Sequence, residues 1–550
     1  MGKNNPQKVT IGNAQFANSN EIPVNYIDVT VAVFFDGTAN NMYNTDAKEE
    51  ALEKKKTEGA AAYLNTWSLE EKSSSEREDG NKHTSSYEND YTNVARLFKM
   101  YQDGAYRNAV YVDGEGTLKY DTDDPSGMGL GSGKDGIPAK VANGCMQVAD
   151  KMGFFLKGLK NTKIRNLTLD VFGFSRGAAA ARHFIYEISK QPYKPEARPT
   201  AGGHGKPRHI DEMGNDTEFS TFPYRGYLGA YCNKKGITID DIHVKIRFAG
   251  LFDCVASYSK HLFKPVWADD TPTAFQNDTE ELRLNYIALA EKVIHFTAMD
   301  EHRANFPLTN INSAGSKGVT YAFPGVHSDV GGSYTSIINE NTLRINESAD
   351  VWGTKDATER LLRDKKNLIA QGWFQEIQFT PIRYSKVSGD MAARYYIGTQ
   401  RQGISNRYSF IPLYFMYKLA SDYDKKNPIV FSWNNKYSVE NNIILSRIKN
   451  RIGQYIDGKA PALTFKYYGD VLRKYNATLE NKQKMSEDCK KEMLEQEDLR
   501  DLRNVYLHWN SDYQRLWIVD YKHYGANIIP MYPRMVNHEN SIRERLVVNG

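Results

Sequence analysis

The stretch "LTLDVFGFSRGAAAARHF", residues 167–184, decides how the whole chain is read. An apolar run enters a Gly-x-Ser-x-Gly pentad at 173–177, and an alanine-rich run leaves it. Such runs read as a buried strand followed by a helix. A serine between the two stands on a sharp strand-to-helix turn, where a Cβ at 173 or 177 would collide with neighbouring backbone, so Gly173 and Gly177 are required. The helix that follows aims its first amides and its positive dipole end at the serine, which favours negative charge developing there. Ser175 is therefore a candidate nucleophile, against the plainer reading of a small residue in a tight turn.

A serine hydroxyl is a poor nucleophile until a base takes its proton, and the base must be oriented by an acid. On turns of this kind the three follow one another as Ser, acid, His. Around the pentad lie further apolar runs that end in polar residues: "YIDVTVAVFFDGTANN" (26–41), "NAVYVDGEGT" (108–117), "IHVKIRFAGLFDCVAS" (242–257), "VIHFTAMDEHRANF" (293–306) and "GVTYAFPGVHSDVGGSY" (318–334). Helical spacing at 92–102 and 136–159 separates several of them. This alternation predicts an α/β fold with a mostly parallel central sheet, with its site at the carboxyl ends of the strands.

Asp253 ends one of these strands, and His327 follows another in a loop bounded by glycines, so both satisfy the required order. His302, in "DEHRANF", stays open as a competing base, while His183 in the elbow helix and His295 in an apolar strand read as packed residues. Asp36 and Asp113 precede the serine, and Asp329 stands two residues past His327, poorly placed for its far ring nitrogen. Asp36 and Asp329 are still expected near the site. The loop Asp36-Gly37-Thr38 offers a second oxyanion amide beside that of Arg176. The plainer reading of the loop is an Asx-type turn, and the two readings are compatible.

The 550 residues carry 71 Lys and Arg against 67 Asp and Glu, a net +4 spread along the chain, so nothing demands nucleic acid as a partner. The four cysteines have neither disulfide-framework nor zinc spacing, and the expected chemistry needs no metal or organic cofactor. The start "MGKNNPQKVTIGNAQF" lacks an apolar signal-peptide core, and no stretch approaches the roughly 18 apolar residues of a spanning helix. The expectation is a protein made soluble in the cytoplasm, without a signal peptide. The glycine-rich run 127–136 fails as a phosphate loop, because Met128 stands where its first glycine belongs and Asp135 replaces the Ser or Thr.

Organisation is expected as a polar leader (1–25), a catalytic domain (26–335) with insertions at about 45–90 and 190–240, and a mainly helical region (336–550) that provides a lid, membrane-contact or docking surface. Within that last region the helix at 441–456 has Ile444, Leu445, Ile448, Ile452 and Tyr455 on one face, flanked by Arg447, Lys449 and Arg451. Core packing is the ordinary use of such a stripe, and a membrane surface the alternative.

Four segments taken together, "VFFDGTANN", "VFGFSRGAAAARHF", "FAGLFDCVAS" and "FPGVHSDVGGSY", resemble the α/β-hydrolase catalytic domain of the first family of type VI lipase effectors. The likeness spans roughly residues 29–335, and "LRNVYLHWN" and "RERLVVNG" resemble the family's C-terminal region more loosely. It implies a phospholipase toxin that cleaves membrane acyl esters after delivery into a rival cell, at its membrane or periplasm. It also implies a type VI spike or tube component as carrier and a cognate immunity protein. The same likeness puts the nucleophile on Ser175, the acid on Asp253 and the base on His327. Alternatives on the same residues are a serine esterase or acyltransferase acting on a non-lipid ester, and a non-catalytic secretion cargo or adaptor.

Overall fold

A computed structural model describes residues 24–58, 86–120, 123, 133–199, 207–258, 279–303, 306–341, 344–350, 354–386, 392–466, 468–480, 487–511, 516–518, 528–530 and 545–550. The leader, most of the charged insertion after 58 and positions 127–132 of the glycine-rich run lie outside the described residues.

In chain order the elements are β1 (Asn25–Phe35), α1 (Met42–Glu58), α2 (Asn93–Met100), β2 (Arg107–Val112), α3 (Ile137–Leu156), β3 (Thr162–Phe174) and α4 (Arg176–Glu187). Then follow α5 (Gly226–Lys234), β4 (His243–Phe252), β5 (Lys292–Ala298), β6 (Gly318–Phe323) and α6 (His327–Gly331). The six strands form one sheet in the order β6-β5-β4-β3-β1-β2, and every neighbouring pair is parallel. Continuous apolar runs such as Val29–Phe35 suit such a sheet, because helices cover both its faces. The order runs outward from β1 to β2 on one side and from β3 to β6 on the other. The loops after β1 and β3 therefore part company between these two strands, which is where open parallel sheets leave a crevice at their carboxyl edge.

One face of the sheet is covered by α3, α4 and α5, which bury Val141, Cys145, Met152, Ala179, Phe184 and Leu228 against Val31, Val33 and Leu169. The expected insertion at 190–240 is thus only partly peripheral. Three short antiparallel strands (Glu196–Arg198, Arg208–Ile210, Asp216–Thr217) lead into a helix that joins the core. The other face carries Phe34, Phe172, Phe174, Phe248, Phe252, Phe296 and Phe323, and it is covered by α2 together with helices from the region after 336.

That region holds α7 (Thr354–Ala370), α8 (Phe410–Tyr423), α9 (Ile443–Ile456), α10 (Tyr468–Glu480) and α11 (Glu487–Val505). Beside these helices it has a three-stranded antiparallel sheet centred on Ala392–Gly398 and a strand pair Ile337–Glu340 with Arg401–Ser405. Leu445, Ile448 and Ile452 of α9 are buried in the same core as the sheet phenylalanines, at about 1.5–3 kcal/mol per side chain. Arg447 and Arg451 pair with Asp498 and Glu495 of α11, and Lys449 with Glu440. Packing takes up the centre of the stripe, while Ile444 and Tyr455 at its edges are half-buried. Among the described residues no helix is long and apolar enough to cross a membrane.

Candidate active site

Ser175 sits between β3 and α4 with φ 59° and ψ −129°, a conformation that a non-glycine residue holds only when its surroundings impose it. The imposing contacts are close. A Cβ on Gly173 would lie 2.4 Å from the Gly177 carbonyl oxygen, and one on Gly177 would lie 2.1 Å from that of Asp36. The Ser175 amide donates to Phe252 O at 3.0 Å and its carbonyl accepts from Val255 N at 3.3 Å, which ties the turn to the strand carrying Asp253. An N-cap serine ordinarily accepts a hydrogen bond with its hydroxyl oxygen from an amide of its own helix, but Ser175 makes no such bond. Its Oγ is left for other work.

Asp253, fully buried at the end of β4 with φ 41°, accepts from the Ala298 amide at 2.9 Å through Oδ1. Its Oδ2 lies 2.5 Å from His327 Nδ1. Burial alone would raise the Asp253 pKa, but the charge of Arg545 and the bond to His327 overturn this and hold the carboxyl well below its usual range. His327 opens the short helix α6 rather than lying in an open loop, and its ring packs between Phe174 at 4.6 Å and Phe306 at 5.1 Å. Its amide donates to Glu301 Oε2 at 3.0 Å. Burial lowers the imidazole pKa against the opposing pull of Asp253, so the ring stays neutral to lower pH than a free histidine.

The remaining candidates separate cleanly. His302 stacks on Trp509 at 3.8 Å and meets Trp373 edge-on at 5.0 Å. His183 gives Nδ1 to Leu282 O at 2.8 Å, and His295 Nε2 accepts from Cys254 N at 3.1 Å; both are buried, as expected of packed residues. Asp113 is held by Lys140 at 2.8 Å. Asp329 does not serve His327: its Oδ1 faces His508 Nδ1 at 2.6 Å, and its Oδ2 accepts from the amides of Val326 and His508.

The loop after β1 is arranged more selectively than expected. The Asp36 amide donates to Val112 O at 2.9 Å, inside the sheet, and the Gly37 amide donates to Asp36 Oδ1 at 2.8 Å. Gly37 is thus not available as an oxyanion donor, because its amide is committed to the preceding carboxylate. The Asp36 carboxyl also accepts from Thr92 at 2.6 Å and from the Tyr111 hydroxyl at 2.5 Å. Burial pushes its pKa up to about 6 despite these bonds. Among the described residues the Thr38 amide has no acceptor, and it belongs to the same loop. Arg176 occupies the first position of α4, where helix geometry offers the amide no intrahelical acceptor. Its Nε donates to Thr38 Oγ1 at 2.7 Å, binding the two arms together.

A parallel α/β sheet that sets a strained serine turn, a histidine and a carboxylate beyond the carboxyl ends of its strands is the architecture of the α/β-hydrolases. Within that class, the family model described as "T6SS, Phospholipase effector Tle1-like, catalytic domain" matches residues 77–352, half of the chain. The protein belongs to this family of type VI secretion phospholipase effectors, and so to the lipolytic hydrolases. The match includes Ser175, Asp253 and His327 but not the Asp36–Thr38 loop or Arg545. A solved structure, the Tle1 effector bound to the VgrG spike from the type 6 secretion system, shares the fold at TM-score 0.53 and 18% identity, over 96% of this chain and 95% of that one. An uncharacterized protein from Pseudomonas aeruginosa is similar at 17% identity over 88% of this chain and 64% of that one, with TM-score 0.36. No curated protein matches.

Arg545 was not visible as a site residue in the sequence. Glu301, which receives the His327 amide and the Arg303 guanidinium, was not visible either.

Proposed function

We propose that the protein is a serine phospholipase and an antibacterial toxin, in which His327 deprotonates Ser175 and Ser175 attacks an acyl ester carbonyl of a membrane phospholipid. The bond from His327 Nδ1 to Asp253 at 2.5 Å, at the strand end tied to the Ser175 turn, carries this reading. Asp253 selects the tautomer that presents Nε2 to the serine and stabilises the imidazolium. The oxyanion is held by the amides of Arg176 and Thr38. The leaving lysophospholipid takes its proton from His327, and a water activated by the same imidazole releases the fatty acid from Ser175. Residues 26–335 supply the reacting groups, and the layer after 336 supplies the lid or docking surface.

A spike component is proposed as the carrier, since the structurally similar effector is described as bound to the VgrG spike. A cognate immunity protein would protect the producer, and the rival's membrane or periplasm is the site of action. The test is fatty acid release from phospholipid vesicles and from short soluble esters by the parent and by Ser175→Ala. Loss of lipid release in Ser175→Ala supports the reading. Turnover of soluble esters with no lipid release, or an active Ser175→Ala, overturns it.

A further inference from the structure

Arg545 stands 292 residues beyond Asp253, yet its guanidinium closes on that carboxylate from both ends. Nη1 lies 2.6 Å from Oδ1 and Nη2 lies 2.8 Å from Oδ2, a two-pronged pairing. Two further donors go to the same neighbourhood: Nε to Phe306 O at 2.9 Å and Nη1 also to Ala298 O at 3.2 Å. Phe306 is a wall of the His327 ring, and Ala298 is the residue whose amide holds Asp253 Oδ1. A single side chain thus fixes the acid, the strand end beneath it and the residue that packs on the base.

The segment that carries Arg545 is itself anchored. Val547 and Val548 pair in parallel with Leu308 and Thr309, and the Thr309 amide donates to Cys254 O at 2.9 Å, one residue past the acid. Asn310 Nδ2 meets Asn549 at 2.8 Å and Ser313 Oγ meets Gly550 O at 2.7 Å. The segment adds a strand to the loop behind Asp253, and from there Arg545 reaches forward.

We infer that Arg545 is a positioning residue of the triad, which holds the Asp253 carboxylate in the plane and orientation that His327 Nδ1 requires and sets the proton affinity of the base. The inference rests on the assignment of Asp253 as the acid. Its physical content is a division of one charge: Asp253 Oδ2 is shared between His327 and Arg545, so part of the carboxylate's pull on the imidazolium is already neutralised. The other charged and titratable groups around the pair are Glu301 and Arg303 beside His327, and His295, Arg182 and Cys254 behind Asp253. Glu301 is itself paired with Arg303 at 2.8 Å, and His295 is kept neutral by burial. Arg545 is therefore the cation that Asp253 feels directly.

The experiment compares the parent with Arg545→Met and Arg545→Lys in the full chain. In Arg545→Met, kcat for lipid release is expected to fall about ten- to a hundredfold with little change in KM. The acid limb of kcat/KM is expected to move up by about one pH unit, because the unneutralised carboxylate now stabilises the imidazolium. Arg545→Lys, which keeps the charge but not the fork, should return the limb towards the parental pH while recovering only part of kcat. A second readout needs no turnover: on a Ser175→Ala background, the far-downfield proton of His327 Nδ1–H should weaken or shift when Arg545→Met is added. A limb and a downfield proton that stay where they are, with activity lost only through a lower unfolding midpoint, would make Arg545 a structural tie and overturn the inference. Failure of the underlying triad is seen separately, as lipid release that survives Ser175→Ala or His327→Ala.

Discussion

Replacing Gly177 by alanine tests the elbow through a single methyl group. The added Cβ would stand 2.1 Å from Asp36 O and 2.5 Å from Phe35 O, whereas real Cβ atoms essentially never approach below 3.0 Å. Both partners are backbone at the end of β1, so no side chain can swing aside. The first turn of α4 and the loop Asp36–Thr38 must therefore part by about 1 Å, a displacement that costs on the order of a hundredfold in rate when it moves groups around a reacting centre. Overpacking of this kind costs about 1–3 kcal/mol of stability. Two measurements follow: initial rate of fatty acid release from phospholipid vesicles, and the denaturant midpoint of unfolding. Gly153→Ala is the control. That residue lies in the interior of α3, where the nearest atom to a new Cβ is Lys235 Cδ at 3.4 Å, and alanine there should gain about 0.5–1 kcal/mol without touching the rate. A Gly177→Ala protein with parental rate and parental midpoint would refute the close approach of β1 to α4, and with it the steric account of the pentad.

Three further outcomes are expected. His327→Ala should lose at least about a hundredfold in rate, whereas His302→Ala should keep most of its activity and pay in stability for the lost contact with Trp509; the reverse pattern in lipid release would reassign the base. Asp170→Ala leaves the buried Arg247 guanidinium without its carboxylate partner, at a cost of about 3–5 kcal/mol read as a lower denaturant midpoint. His183 is pushed down by burial to about 4, so the folded chain refuses a proton that the unfolded chain accepts below pH 6.5. Its contribution is nil above that pH and grows unfavourable as pH falls towards 4. Relative to His183→Gln, the parent should lose about 3 kcal/mol across that window in denaturant titrations.

The central sheet was legible because each of its strands is a continuous apolar run that stops at a polar residue, a pattern imposed by burial on both faces. The pentad was legible because sterics restrict residues 173 and 177 so tightly that only glycine fits. Asp253 and His327 could be proposed because they end such strands in the order a serine site requires. Arg545 could not be proposed. An arginine in "RERLVVNG" carries no sign of which of its neighbours it would serve, and its partner lies 292 residues away. The commitment of the Gly37 amide was hidden for another reason: whether an Asp turns back on the next amide depends on side-chain rotamers that sequence does not reveal. Nor does the apolar stripe of α9 name its partner, since amphipathicity states that a face is covered without saying by what.

The phenylalanine-rich face of the sheet has a consequence for how the protein must be made. Phe34, Phe172, Phe174, Phe248, Phe252, Phe296 and Phe323 all precede residue 336, whereas much of what buries them, including Phe415, Met416, Leu445, Ile448 and Leu502, follows it. While the ribosome adds those later segments, the finished strands present a row of aromatic rings to water. That interval is when the nascent chain is most prone to stick to itself or to a chaperone, and a fragment ending near residue 335 would remain in that condition permanently.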